Sequence, residues 1–149
     1  MDLDRICREI VEGSPDAIIL GDAQGVIRLW NAGAEAIFGY TAAEAVGQSM
    51  DLIIPERLRA RHWDGYDRVM ATGQSRYGKG ELLAVPALAK DGRTLSIEFT
   101  IQMLRDEAGA ILGPAAVIRD VTRRFQREKE LGKRLKELEA RAAGREPAA

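Results

Sequence analysis

Apolar residues recur at two spacings along the chain, and the spacing predicts which segments are helices and which are strands. Residues 2–12 follow the helical period. Their apolar face consists of Leu3, Ile6, Cys7, Ile10 and Val11. Residues 17–20 form a short apolar run and residues 26–30 alternate, so both are predicted strands. Gly25 is expected to supply a positive φ in the hairpin turn between them.

A block of short helices is predicted after the first hairpin. Asn31 is a favourable N-cap for a helix over residues 32–38, and Gly39 is expected to end it. Thr41 and Glu44 have the spacing of a capping box, which predicts a second, single-turn helix ending at Gly47.

A longer helix follows, and it carries the only histidine of the chain, His62. Pro55 suits its first turn, and it is expected to end near Thr72 and Gly73. At helical spacing one face consists of Leu58, His62, Tyr66 and Val69. The residues that lie mostly off this face are Arg57, Arg61, Asp64 and Arg68. We therefore expect an inward-pointing imidazole, which is either a metal ligand or a hydrogen-bonded core group.

The second half of the chain has the pattern of strands. Residues 81–89, 94–104 and 111–118 are predicted strands, with turns at residues 90–93 and 106–109. Pro86 indicates an edge position or a bulge in the first of them. The apolar face of the second strand consists of Leu95, Ile97, Phe99 and Ile101. Five strands and a helical block predict an α+β fold, with an antiparallel sheet and helices on one face.

After Asp120 the pattern is again helical, over residues 121–143. Apolar residues occupy a/d-like positions, interrupted by Glu128. They are Val121, Leu131, Leu135, Leu138 and Ala142. This helix either packs on its own sheet or dimerises. Dimerisation is favoured because an isolated charged helix needs a partner to be stable. The predicted organisation is an N-terminal helix (1–13), a domain (14–120), this helix and a frayed tail (144–149).

Composition narrows the function classes. Charged residues make up 30% of the 149 residues but nearly cancel, with a net charge of −1, so a nucleic-acid or membrane-surface binder is not expected. Cys7 is the only cysteine, which excludes a disulfide framework and favours the cytoplasm. No apolar run is long enough to span a bilayer. No motif places a nucleophile near His62, and we expect no enzymatic activity.

Several short motifs, in their order and spacing, resemble those of the PAS sensor family over residues 14–122. They are Gly21-Asp22-Ala23-Gln24-Gly25, Trp30-Asn31, Phe38-Gly39-Tyr40, Val46-Gly47-Gln48, Lys90-Asp91-Gly92 and Arg119-Asp120-Val121-Thr122. The resemblance implies a PAS fold whose five-stranded sheet and helices enclose a small ligand or cofactor pocket. It also implies that the Asp-Val-Thr step passes any change to a C-terminal signalling helix.

The His62 helix is similar to that of one branch, the haem-binding PAS domains of rhizobial-type oxygen-sensor kinases. The resemblance implies haem b, with His62 as the iron ligand and Arg68 at a haem propionate. It places Phe99 and Ile101 on the distal side of the iron. Candidate haem contacts on the same helix face as His62 are Leu58, Tyr66 and Val69.

One position departs from that branch. Its members carry an arginine that hydrogen-bonds oxygen on the strand before the Lys-Asp-Gly turn, where this chain has Leu83 beside the apolar Leu82. An apolar wall would suit carbon monoxide, nitric oxide or redox sensing better than stable oxygen binding.

The alternative is a haem-free PAS module that binds a small metabolite or mediates protein contact. With either ligand we expect a homodimer through the terminal helices and a separate signalling protein as partner. A cysteinyl-flavin light sensor is not expected, because Cys7 lies in the leading helix, outside the pocket.

Overall fold

The computed structural model describes residues 1–74 and 82–144. The helices are α1 (Leu3–Gly13), α2 (Ala32–Phe38), α3 (Ala42–Ala45), α4 (Glu56–Thr72) and α5 (Thr122–Gly144), with a 3₁₀ turn at Met50–Ile53. The strands are β1 (Ala17–Gly21), β2 (Ile27–Trp30), β3 (Leu83–Leu88), β4 (Thr94–Arg105) and β5 (Ile111–Asp120). Glu81, where the third strand was predicted to begin, and residues 145–149 of the predicted tail lie outside the described residues.

The five strands form one antiparallel sheet in the order β2-β1-β5-β4-β3. This confirms the predicted α+β fold with a five-stranded sheet. Pro86 lies on β3, an edge strand, where its missing N–H breaks no inner ladder. β5 runs two residues beyond its predicted end because its pairing with β4 continues to Asp120, opposite Ile97.

Local capping explains why the short helices begin and end where they do. The Asn31 side chain accepts a hydrogen bond from the Ala34 N–H, and Thr41 and Glu44 form the predicted capping box. Gly39 ends α2 with a φ of 84°. α3 stops at Ala45, before the predicted end at Gly47.

Asn31 has a second role that its sequence position does not reveal. It is buried, and its Oδ1 also accepts a hydrogen bond from the Ile18 N–H at 2.8 Å. Its Nδ2 donates to the carbonyl oxygens of Val11 at 2.8 Å and Asp16 at 3.0 Å. One side chain therefore joins the end of α1, the start of β1 and the start of α2.

The hydrophobic core fills the space between the sheet and the helices α2 and α3. Its largest fully buried side chains are Phe38, Ile19 and Ile27. Trp30 packs against Phe38 with ring centres 5.5 Å apart, and its Nε1 donates to the Tyr40 carbonyl at 2.9 Å. Trp30 is thus a core residue.

The terminal helices add little to this core. Every residue of α1 and α5 is at least partly exposed. The exposed apolar side chains of the two helices include Leu3, Ile10, Phe125, Leu131, Leu135 and Leu138. Among the described residues, no helix is long and apolar enough to cross a membrane.

Candidate functional site

Helix α4 presents the predicted face to the protein interior. Tyr66 is buried and Leu58, His62 and Val69 are half-buried. The four residues predicted to lie off this face, Arg57, Arg61, Asp64 and Arg68, are exposed. The helical spacing therefore gave the orientation of the helix correctly.

The three sheet residues proposed for the site share one face. Leu83 pairs with Phe99 across β3 and β4, and Phe99 pairs with Ile118 across β4 and β5. Ile101 pairs with Ala116. Cross-strand partners point to the same side of a sheet, and Ile118 belongs to the buried core. Leu83, Phe99 and Ile101 thus face the helical side.

Apolar side chains on the inward face of α4 and on this face of the sheet are incompletely buried. Leu58, Val69, Phe99 and Ile101 are only half-buried, whereas Phe38 of α2 is fully buried. We call the region that these residues border the α4 cleft, with the inward face of α4 on one side and Leu83, Phe99 and Ile101 on the other.

Two other surface concavities lie away from this cleft. One, of about 430 Å³, lies between the end of α2 and the β3–β4 turn, where Lys90 pairs with Glu44 and Arg93 pairs with Asp91. The other, of about 600 Å³, is lined by charged residues of α1 and its N-cap. No residue of α4 lines either of them.

His62 has an unusual polar environment. Its Nδ1 is enclosed and has no hydrogen-bond partner among the described residues. Burial lowers the pKa of His62 below its ordinary value of 6.5, and the negative charge of Asp51 only partly opposes this. The ring is therefore neutral at pH 7, the form in which imidazole binds metals. A buried polar atom without a partner calls for an explanation, and a bound ligand is one.

The two other polar site residues of α4, Tyr66 and Arg68, differ in whether their polar groups already have a partner in the described part of the chain. The Tyr66 hydroxyl donates to the Asp22 carbonyl oxygen, and burial raises the pKa of Tyr66 to about 12. That hydroxyl is used within the protein. Arg68 is exposed and forms no ion pair within the described part of the chain, so its guanidinium is free to meet an anionic group.

A single imidazole suits haem better than a metal held by protein groups alone. In residues 1–74 and 82–144, no three His, Cys, Asp or Glu residues are grouped so that they could hold a metal ion. Haem needs only one axial ligand from the protein, together with apolar walls and a cation for its propionates. His62, the walls of the α4 cleft and Arg68 fit those requirements in residue type.

The junction between β5 and α5 is tied to the neighbouring strand β4. The Val121 N–H donates to the Ser96 carbonyl at 2.8 Å, and the Ser96 N–H donates to Thr122 Oγ1 at 3.0 Å. Asp120 Oδ1 accepts from the Thr122 N–H at 3.0 Å. Sequence reasoning found the Asp-Val-Thr step but missed Ser96, because no local pattern marks a partner about 25 residues away.

A second link joins β4 to α5. Arg124 forms an ion pair with Glu98, whose side chain is 18% exposed. Glu98 lies between Ile97 and Phe99 on β4, and side chains alternate across a strand. β4 therefore contacts the cleft with one face and α5 with the other.

Comparison with known proteins agrees with this architecture. A family model described as the PAS fold matches residues 11–126, more than half of the chain. An uncharacterized protein of Azorhizobium caulinodans is 35% identical over 125 residues, covering 83% of this chain and 17% of that protein. The sensor protein FixL of Bradyrhizobium diazoefficiens is 30% identical over 132 residues, covering 88% and 25%. The chain thus spans a quarter or less of these two relatives.

Solved structures share the fold. The PAS domain of a protein from Colwellia psychrerythraea superposes with a TM-score of 0.71 at 23% identity, covering 82% of this chain and 99% of that one. An RNA-binding light-oxygen-voltage receptor gives a TM-score of 0.68 at 21% identity, covering 95% and 39%. At these identities the likeness concerns the fold alone. Together with the family match, these observations establish that the chain belongs to the PAS family of sensory domains.

Proposed function

We propose that this PAS domain binds haem b in the α4 cleft through His62 and senses a diatomic gas or a redox change. The observation that carries the proposal is the enclosed, unpartnered Nδ1 of a neutral imidazole on the inward face of α4. Similarity to the sensor protein FixL supports the sensory role.

Each residue of the cleft would have a separate role in holding haem. His62 would hold the iron, since burial keeps its ring neutral at neutral pH. Leu83, Phe99 and Ile101 would exclude water from the site. Arg68, exposed and without an ion pair in the described part of the chain, would meet a carboxylate at the rim. When bound, haem would supply an iron that responds to small gases and to oxidation state.

The apolar sheet wall favours some signals over others. Leu83 carries no hydrogen-bond donor at the position where the similar oxygen-sensor domains have an arginine. Without a donor, bound oxygen is poorly stabilised, whereas carbon monoxide and nitric oxide depend less on one. We therefore favour carbon monoxide, nitric oxide or redox change as the signal.

Output would pass through β4 to α5. Phe99 faces the cleft, while its neighbour Glu98 is paired with Arg124 of α5. A change that displaces Phe99 would therefore move the residues that set the direction of α5. The exposed side chains Leu131, Leu135 and Leu138 would form the seam between the two α5 helices of a homodimer.

Haemin titration tests the ligand. The protein should give a sharp Soret band that His62→Ala abolishes or shifts and that Arg61→Ala, a neighbour on the exposed face, leaves unchanged. Arg68→Ala should weaken haemin binding without moving the band. Absence of the band, or an identical band in His62→Ala, would rule out His62 as the haem ligand.

A haem-free PAS module is the second candidate. The partial exposure of Leu58, Val69, Phe99 and Ile101 favours it, because a small metabolite needs less enclosure than a porphyrin.

Dimerisation is tested separately by light scattering. Leu135→Glu should lower the mass in solution toward that of a monomer, and Lys136→Glu, one residue off the stripe, should not. Equal masses for the two variants would rule out the α5 seam.

A further inference from the structure

Three rings on α4 form a closed cluster. The His62 ring centre lies 4.9 Å from that of Trp63 and 5.7 Å from that of Tyr66. Trp63 and Tyr66 lie 5.3 Å apart. A histidine ring turns easily about its outer side-chain bond unless a partner holds it, and Nδ1 has no hydrogen bond among the described residues. Packing by Trp63 and Tyr66 therefore sets the plane of the imidazole.

The polar ends of those two neighbours are bonded to segments outside α4. Trp63 Nε1 donates to Asp51 Oδ1 at 2.8 Å, in the 3₁₀ turn. The Tyr66 hydroxyl donates to the carbonyl of Asp22, in the turn that follows β1. That carbonyl also accepts from the Gly25 N–H at 2.9 Å, so the hairpin turn and α4 share one acceptor.

Two glycines allow the aromatic side chains to reach the hairpin. A Cβ on Gly21 would lie 2.6 Å from the Tyr66 hydroxyl oxygen. A Cβ on Gly25 would lie 2.1 Å from the Trp63 ring. Both distances are too short for any side chain, so Trp63 and Tyr66 rest directly on the glycine backbone. Gly25, predicted from its turn, thus has a second reason to be glycine.

We propose that Trp63 and Tyr66 are positioning residues for His62, held in turn by Asp51 and by the Asp22 carbonyl. The proposal rests on the role of His62 as the ligand-holding group. A ligand that displaces the imidazole must also displace these aromatic rings. Ligand binding would then shift the β1–β2 turn and the 3₁₀ turn, in addition to the strand residues of the α4 cleft.

The single histidine makes the test direct, because the protein has one set of imidazole NMR signals. In the haem-free protein, Asp51→Ala removes the acceptor of the Trp63 N–H, whereas Asp51→Asn keeps a side-chain oxygen there. Both variants remove the charge, so they differ in the hydrogen bond. In spectra recorded above pH 7, where the ring is neutral with or without the Asp51 charge, we expect altered imidazole proton shifts and weaker contacts to Trp63 in Asp51→Ala, and near-native values in Asp51→Asn.

A second pair of variants tests the other neighbour. Tyr66→Phe removes only the hydroxyl and should alter the imidazole shifts, while Tyr40→Phe, outside the cluster, should leave them unchanged. Matching imidazole spectra for Asp51→Ala and Asp51→Asn would overturn anchoring through Asp51. Unchanged imidazole shifts in Tyr66→Phe would overturn the role of the hydrogen bond from Tyr66 to the Asp22 carbonyl. The Tyr66→Phe spectrum can be measured even if Asp51→Ala fails to fold.

Haemin affinity supplies a further readout. Loss of a group that orients a metal-binding histidine typically weakens binding about 10–100-fold. We expect a loss of about tenfold in Asp51→Ala and recovery in Asp51→Asn. The imidazole spectra are recorded without haem, so they can support positioning even if the wild-type protein gives no Soret band. Conversely, a His62-dependent band with unchanged spectra would retain the haem proposal and reject the positioning roles.

Discussion

Replacing Gly25 by alanine is the most direct test of how α4 packs on the first hairpin. Gly25 has a φ of 74°, and an alanine in this left-handed region costs about 1–2 kcal/mol. The new methyl would lie 2.1 Å from the Trp63 ring. Forcing an extra methyl into packed surroundings costs about 1–3 kcal/mol. We therefore expect the free energy of unfolding to fall by about 2–5 kcal/mol.

Two other glycines separate the backbone cost of the Gly25→Ala substitution from its steric cost. Gly92 also has a positive φ, 87°, but a Cβ there would meet nothing within 4 Å. Gly92→Ala should therefore show only the backbone effect, about 1–2 kcal/mol. Gly65, inside α4, has equally open surroundings, and Gly65→Ala should stabilise the protein by about 0.5–1 kcal/mol. Urea unfolding of all three variants measures the differences.

A double-mutant cycle with Trp63→Ala identifies the contact responsible. Once the indole is removed, Gly25→Ala should destabilise the protein only as much as Gly92→Ala does. If Gly25→Ala and Gly92→Ala are equally destabilising in the wild-type background, the proposed packing of Trp63 on the turn is refuted.

Three further predictions concern pH and capping. The pKa of His62 is lowered on folding, so the neutral ring contributes to the free energy of unfolding. This contribution is complete above the unfolded pKa of about 6.5 and is lost as the pH falls toward the folded pKa. Urea midpoints between pH 5 and 7 should therefore fall more steeply for the wild-type haem-free protein than for His62→Gln. The pKa of Tyr66 is raised from 10.0 to about 12, so its contribution is complete below pH 10 and is lost as the pH rises through 12. The loss should be roughly 2–3 kcal/mol, and the same alkaline titration of Tyr66→Phe should lack it. Asn31→Ala should destabilise the protein by about 2–4 kcal/mol in thermal unfolding, because it leaves buried backbone groups unpaired. Thr41→Ala, which removes an exposed cap, should lower the stability by only about 1 kcal/mol. Equal losses of stability in the two variants would contradict the bridging role of Asn31.

Much of the fold could be predicted because its determinants are local. The Thr41–Glu44 capping box acts within one turn, and Gly39 and Gly73 end their helices through their own backbone conformation. The inward face of α4 follows from helical spacing alone. Pro86 likewise indicated an edge position or a bulge, because an inner strand cannot tolerate a missing N–H, and β3 is an edge strand.

The candidate site could be predicted only in part. The sequence identified His62 and the strand residues that share its side of the sheet. It did not reveal that Tyr66 would bond to Asp22, because 44 residues separate the two. Nor did it reveal the bond between Trp63 and Asp51. Neither pair has a local pattern, since the contacts exist only once α4 packs beside the hairpin.

The sequence by itself determined the order and type of the α-helices and strands, most of the caps and turns that bound them, and the inward face of α4. Tertiary structure alone decided that β5 lies between β1 and β4 and that His62 is held between two aromatic rings on α4. The physical reason is how far apart in the sequence the interacting residues lie. Caps, turns and periodicity depend on residues a few positions apart, whereas strand order and the setting of a buried imidazole depend on which distant surfaces fit together when the apolar faces are buried.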